Sequence, residues 1–123
     1  MPYFGSLSLE RLATVHPALQ DIANDAIQII DFSIVCGERG EADQEAAFAS
    51  GASKLHYPHS AHNKKPARAF DFQPYPKPAK NRENWKYGVV AGVILSCAFR
   101  RGYKLRLGGD WGWDAPHVEL VDA

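Results

Sequence analysis

Ser60-Ala61-His62-Asn63-Lys64-Lys65-Pro66-Ala67-Arg68-Ala69-Phe70-Asp71-Phe72 sets a histidine in a polar loop and then a carboxylate inside a short apolar run. Ala69-Phe70-Asp71-Phe72-Gln73 reads as a short strand, and alternation puts Asp71 on the face opposite both aromatics. A carboxylate there needs a partner, because burying an unpaired charge is costly. That partner is either a lysine or arginine or a shared cation. Far downstream, Asp114-Ala115-Pro116-His117-Val118-Glu119-Leu120 supplies a second histidine with another carboxylate three residues before it. Two histidines and an aspartate can form a three-ligand metal site with one position left for water, the composition of a catalytic rather than a structural zinc.

After the Asp71 strand, the proline-rich Pro74-Tyr75-Pro76-Lys77-Pro78 leads the chain away. Asn81 is read as the cap of a helix from about Arg82 to Arg101, with Trp85, Val89, Gly92, Val93, Ser96 and Cys97 on one face. Gly88 and Gly92 thin that face, which predicts close packing against a neighbour. Gly102 stops the helix. Tyr103-Lys104-Leu105-Arg106-Leu107 alternates as a strand with one wet face, Gly108 to Trp113 forms a tight loop, and a last strand runs from His117 to Val121.

On the N-terminal side, Ser8 is read as the cap of a short helix that ends near His16-Pro17, since the residue before a proline avoids the α region. Pro17 opens a second helix, in which Leu19, Ile22, Ala23, Ala26, Ile27 and Ile30 follow helical spacing. Phe32-Ser33-Ile34-Val35-Cys36 is rich in strand formers. Helix formers run from Ala42 to Ala49, with Gly51 as the C-terminal stop. The stretch from Ala52 to Arg68 is a long loop holding His56, His59 and His62, and loops above about 12 residues are uncommon in compact domains unless they have a task. There is no internal repeat or linker, so one α+β domain over residues 1–123 is expected.

The composition sets the outer limits. No apolar run approaches the roughly 20 residues needed to span a bilayer, and no basic segment leads into an apolar one at the N-terminus. Cys36 and Cys97 lie among apolar neighbours and read as small buried hydrophobes. The net charge is zero, but residues 51–106 carry twelve basic and two acidic residues. A basic middle could favour an anionic polymer such as nucleic acid or cell wall, while the plain reading is a solvated surface whose charges mix on folding.

His62 falls on the approach to the Asp71 strand, yet with His56 and His59 in the same loop, spacing alone does not choose among them. A lone histidine such as His117 at the start of an apolar strand is usually a hydrogen-bonded core residue. One shared cation is the more economical account of all these residues together. Ser60-x-His62, Ala69-x-Asp71 and Asp114-x-x-His117-x-Glu119-Leu120, with Gly37-Glu38-Arg39 upstream and Gly108-Gly109-Asp110-Trp111 before the last motif, resemble the zinc peptidases of bacterial cell walls. That family joins D-alanyl-D-alanine carboxypeptidases and phage L-alanyl-D-glutamate endopeptidases, and the endopeptidase endolysins are the nearest in pattern. The resemblance runs from about Leu9 to Leu120. The gap between His62 and Asp71 is longer than in many members, which leaves His59 as a fallback ligand.

The resemblance implies a small α+β domain, a short antiparallel sheet flanked by helices, of the kind shared with Hedgehog domains. It implies Zn2+ held by His62, Asp71 and His117, with Asp114 as general base. Arg39 would clamp a substrate carboxylate, Ser60 would touch substrate or brace His62, and Trp111 would wall the cleft. Glu119 shares a strand face with His117 and could orient it through the other ring nitrogen. The implied activity is hydrolysis of the L-alanyl-D-glutamate bond of peptidoglycan stem peptides, with a D-alanyl-D-alanine carboxypeptidase or a non-catalytic binder of zinc or wall peptides as the alternatives. The expected partner is bacterial peptidoglycan, with no nucleic acid, no stable membrane insertion and no separate wall-binding domain. A monomer is expected, held in the host cytoplasm until the membrane is permeabilised.

Overall fold

The computed structural model describes residues 2–80, 82–108 and 116–121. Among the described residues, four α-helices and four strands follow in the order α1 (Ser6–Leu12), α2 (Pro17–Ile27), β1 (Phe32–Cys36), α3 (Glu41–Ser50), β2 (Ala69–Pro74), α4 (Trp85–Arg100), β3 (Lys104–Leu107) and β4 (His117–Val121). The strands form one antiparallel sheet in the order β1-β2-β4-β3. The expected α+β architecture is the one found.

Phe32, Ile34, Phe70, Phe72 and Val118 point to one face of the sheet, all at most 2% exposed. They meet Leu19, Ile22 and Ala26 of α2 and Val90, Ile94 and Ala98 of α4 in a single apolar cluster. Full burial of each large aliphatic or aromatic chain contributes about 1.5–3 kcal/mol, so this face holds the fold together. The α2 pattern is as the spacing predicts, and His16 caps the helix by accepting from the Ala18 N–H through Nδ1 at 3.0 Å. Gly51 ends α3 at φ 83°, a left-handed position where glycine carries no Cβ penalty.

Two expectations need correction. Ser8 lies inside α1, whose N-cap is Gly5, and its buried hydroxyl accepts from the Ile34 N–H at 3.0 Å. Arg11 donates to the Ile34 carbonyl at 3.0 Å, so two side chains of α1 satisfy the outer edge of β1, which would otherwise be an open template for pairing. In α4 the core face is Val90, Ala91, Ile94, Cys97 and Ala98, whereas Trp85 and Val89 are exposed and Gly88 and Gly92 face open space. This helix is apolar on nearly every side, so periodicity could not select the buried stripe. The helix also starts at Trp85 rather than Arg82, and the Asn81 cap lies outside the described residues.

A β-bulge interrupts β1 between Ile34 and Cys36, so that Cys36 lies opposite Asp71. One extra residue turns a side chain to the other face. The chain then passes close to α1 at Gly37, where an added Cβ would lie 2.5 Å from the Arg11 carbonyl oxygen and closer still to the Thr14 hydroxyl. Overpacking of this kind costs about 1–3 kcal/mol. Gly37→Ala is therefore expected to lower the unfolding free energy by about 1–3 kcal/mol in urea titration, and an unchanged midpoint would show that the backbone yields there.

Candidate active site

The face of the sheet opposite the core carries the polar groups. β2 runs between β1 and β4, and its Asp71 is opposite Cys36 on one side and His117 on the other. His117 and Glu119, two apart on β4, point to the same side, as does Arg106, which pairs with Glu119 across β3. His62 arrives from a different part of the chain. It sits in a single 3₁₀ turn, Ala61–Asn63, built by a reciprocal cap: Ser60 Oγ accepts from the His62 N–H at 3.2 Å, and Asn63 Oδ1 accepts from the Ser60 N–H at 2.9 Å. Ser60 is thus a brace for His62, while also lining the cleft.

The residues between His62 and Asp71 do not disturb this arrangement. Lys64, Lys65 and Pro66 form an exposed turn, and Ala67 returns to the core beside Val15. His62, rather than His59, reaches Asp71. His59 lies on the exposed cleft wall, and His56 is bound to α3, with Nδ1 3.0 Å from Glu45 and its ring stacked on Phe48 at 3.7 Å.

Three side-chain atoms converge. His62 Nε2 lies 3.2 Å from His117 Nδ1 and 3.3 Å from Asp71 Oδ1, and His117 Nδ1 lies 3.2 Å from the same oxygen. The other ring nitrogens fix the protons. His62 Nδ1 is 2.8 Å from the Gly37 carbonyl and His117 Nε2 is 2.8 Å from Glu119 Oε1, so each donates there. Both rings then turn a lone pair toward a carboxylate oxygen. Three acceptors at this separation repel one another unless a positive charge lies between them. Donors bound to a tetrahedral ion at about 2.0–2.1 Å are about 3.3 Å apart, so the triangle fits a divalent cation.

A second donor group shares two of these residues. The Cys36 thiol, His62 and Asp71 offer donor atoms within 4.8 Å of one another and could also hold a metal. Cys36 Sγ, however, lies 3.8 Å from His62 Nδ1, the nitrogen engaged by the Gly37 carbonyl, and takes a contact from Arg39 Nη2 at 3.6 Å. It therefore supports the ring from behind. Cys36 is half-buried with basic neighbours, whereas the sequence reading had it as a buried hydrophobe without them.

Arg39 sits 3.5 Å from Asp71 Oδ2, the oxygen turned away from the histidines, and its Nη1 donates to Gln44 Oε1 at 3.0 Å. Its backbone N–H donates to the His62 carbonyl at 2.8 Å, so Gly37-Glu38-Arg39 folds over the turn that carries the histidine. Gln44 and Asn63 were not singled out from sequence. Gln44 is fully buried, and Asn63 donates to the Arg39 carbonyl at 2.9 Å and to Gln44 Oε1 at 3.1 Å. The site opens into a cleft of about 340 Å³, whose rim includes Ser53, Lys54, Leu55, His59 and Arg106. Asp114 and Trp111 lie outside the described residues.

A sequence model of phage L-alanyl-D-glutamate peptidases matches residues 2–121. The chain belongs to that family. An L-alanyl-D-glutamate peptidase of Escherichia phage T5 is 33% identical, over 96% of this chain and 97% of the relative. The crystal structure of the Serratia marcescens L-Ala D-Glu endopeptidase ChiX superposes with a TM-score of 0.80 at 26% identity, covering 98% of this chain and 91% of that one. The chain is thus a peptidase of the phage L-alanyl-D-glutamate family, and its cluster of His, Asp and Cys side chains could bind a metal. Among the described residues no helix is long and apolar enough to cross a membrane.

Electrostatics at the triangle follow from its packing. Burial opposes a charge on His62, but hydrogen bonds to Asp71 and the Cys36 thiol outweigh it and raise its pKa from 6.5 to about 10. Burial likewise opposes ionisation of Asp71, yet His117 and His62 hold its carboxyl well below the usual range. A proton here takes the place of a cation. The His62 contribution to stability is complete below pH 6.5 and is lost as pH rises toward about 10, whereas that of Asp71 is present above 3.8 and lost as pH falls. Chain stripped of metal should therefore melt highest between pH 3.8 and 6.5 and lose Tm from pH 7 to 10 in thermal scans, a flat profile over that range refuting the balance.

Proposed function

We propose that this peptidase is a zinc-dependent endolysin that hydrolyses the L-alanyl-D-glutamate bond of peptidoglycan stem peptides. The observation that carries the reading is the triangle of His62 Nε2, His117 Nδ1 and Asp71 Oδ1 at the floor of an open cleft in a chain of this family. His62, Asp71 and His117 would hold the ion. When bound, zinc would polarise the scissile carbonyl and lower the pKa of water to about 7.

The chain's own groups do the remainder. The Gly37 carbonyl and Glu119 fix the tautomers of His62 and His117, and such partners also raise the basicity of a histidine ligand. Asp114 is assigned the general base, a carboxylate that accepts the proton of the attacking water and returns it to the leaving amine. Pro116 restricts the backbone between base and ligand, and its carbonyl accepts from the Phe72 N–H at 3.0 Å, which ties that approach to β2. Arg39, Lys54 and Arg106 line the cleft, a distribution of cations that suits a peptide rich in carboxylates. Arg39 is assigned the substrate carboxylate, since a guanidinium offers five donors and its contacts with Asp71, Gln44 and the Cys36 thiol leave others for a ligand. Trp111 is assigned to the cleft wall. The chain is expected to act as a monomer on the wall, after membrane permeabilisation releases it from the host cytoplasm.

Mass spectrometry of purified peptidoglycan treated with zinc-loaded protein should reveal new L-alanine C-termini and D-glutamate N-termini. Release of free D-alanine alone would identify a carboxypeptidase, and no new termini would overturn the enzymatic reading. Asp114→Ala should retain zinc and lose at least about 100-fold in turnover, the lower end for a general base. In competition titrations, Glu119→Ala should lower zinc affinity by about 10- to 100-fold, while Cys36→Ser leaves it unchanged. The reverse order would place the thiol in the ligand set.

A further inference from the structure

Helix α3 is held to the protein in an unusual way. Of its ten residues only Gln44 is buried, and that residue is fully enclosed. Phe48, which helical spacing would place on the same inward face, is 39% exposed and stacks on His56 instead. The buried contact of α3 is therefore one amide rather than an apolar stripe.

That amide uses its whole capacity. Gln44 Oε1 accepts from Arg39 Nη1 at 3.0 Å and from Asn63 Nδ2 at 3.1 Å. Gln44 Nε2 donates to Ser53 Oγ at 2.9 Å and to the Leu55 carbonyl at 2.7 Å. A glutamine has two acceptor and two donor positions, and all four are filled. The orientation is fixed by its partners, because a flipped amide would set N–H groups against the guanidinium and the Asn63 amide. The oxygen end reaches the triangle by two routes, through Arg39 to Asp71 and through Asn63 to the cap of the His62 turn. The nitrogen end holds Ser53 and Leu55, which form the cleft wall.

We propose that Gln44 is a positioning residue that joins the substrate-facing wall at residues 53–55 to the Arg39–Asp71 pair, with each end of its amide serving a separate step. This rests on the peptidase reading above. The oxygen end sets the carboxylate and histidine at the cleft floor and so affects turnover. The nitrogen end sets the wall and so affects substrate affinity. Removing an interaction that is equal in the bound substrate and in the transition state raises KM and leaves kcat.

Gln44→Glu tests the division. A carboxylate still accepts from Arg39 and Asn63 but cannot donate to the Leu55 carbonyl. The variant should raise KM for a soluble stem peptide about three- to tenfold, the range of one lost hydrogen bond, with kcat within about twofold. Trypsin should also cut after Lys54 several-fold faster in the absence of substrate, under conditions where urea titration shows the whole chain still folded. Gln44→Met loses both ends and should lower kcat as well. A fall of kcat and KM together in Gln44→Glu, or unchanged KM and unchanged cleavage at Lys54, would overturn the proposal. The proteolysis reads the wall without turnover, so a protein inactive on peptidoglycan but with accelerated cleavage at Lys54 would sink the peptidase reading and keep the link between Gln44 and the wall.

Discussion

Three electron-rich atoms, His62 Nε2, His117 Nδ1 and Asp71 Oδ1, are held about a hydrogen-bond length apart, and the rest of the site depends on how that repulsion is relieved. Each is locked from behind by a partner: the Gly37 carbonyl, Glu119 and Arg39. Neither ring can turn its N–H inward without breaking a hydrogen bond made by a buried nitrogen. The charge that stabilises the cluster must therefore come from outside it, as a proton or as a metal ion. Removing one of the supports would free a ring or a carboxylate oxygen, so these residues matter as much as the three they hold.

The sheet separates two kinds of cohesion. On one face, Phe70, Phe72, Ile34 and Val118 join α2 and α4 through apolar burial. On the other, Asp71, His117 and Glu119 meet His62, Arg39, Gln44 and Asn63 through directed hydrogen bonds. Apolar packing tolerates small shifts, whereas hydrogen bonds fix distance and angle. The half of the molecule that positions donor atoms is the half built from polar contacts. α3 and the loop after it belong to this polar half, joined to each other by the pairing of His56 with Glu45 and to the site by Gln44.

Much of this was legible in the residues. The helical period of α2, the strand formers of β1, the alternation in β2 and β4, and the glycine stops at Gly51 and Gly102 all lie where local physics directs them. His62, Asp71 and His117 were also found together, because their residue types and the motifs around them carry a chemical pattern. The long His62–Asp71 gap left His59 open as a ligand, and only the exposed turn at Lys64 to Pro66 shows how the extra residues are absorbed. Cys36 was misread because a bulge shifts it by one residue and so exchanges its face. Gln44 was passed over because a glutamine in a helix gives no local sign of burial. The exposed face of α4 was misassigned because the helix has no polar side to contrast with an apolar one.

Local sequence was enough for the class of fold, the order of the elements and the two histidines and the aspartate that converge at the triangle. These follow from periodicity, turn chemistry and residue type, which act over a few residues at a time. Tertiary structure alone decided which nitrogen of each histidine faces Asp71, that Arg39 and Gln44 hold the carboxylate and the cleft wall, and which stripe of α4 enters the core. Those choices depend on contacts between segments distant in the chain, such as Gly37 with His62 and Arg39 with Asp71, where a change of one residue in register alters the outcome.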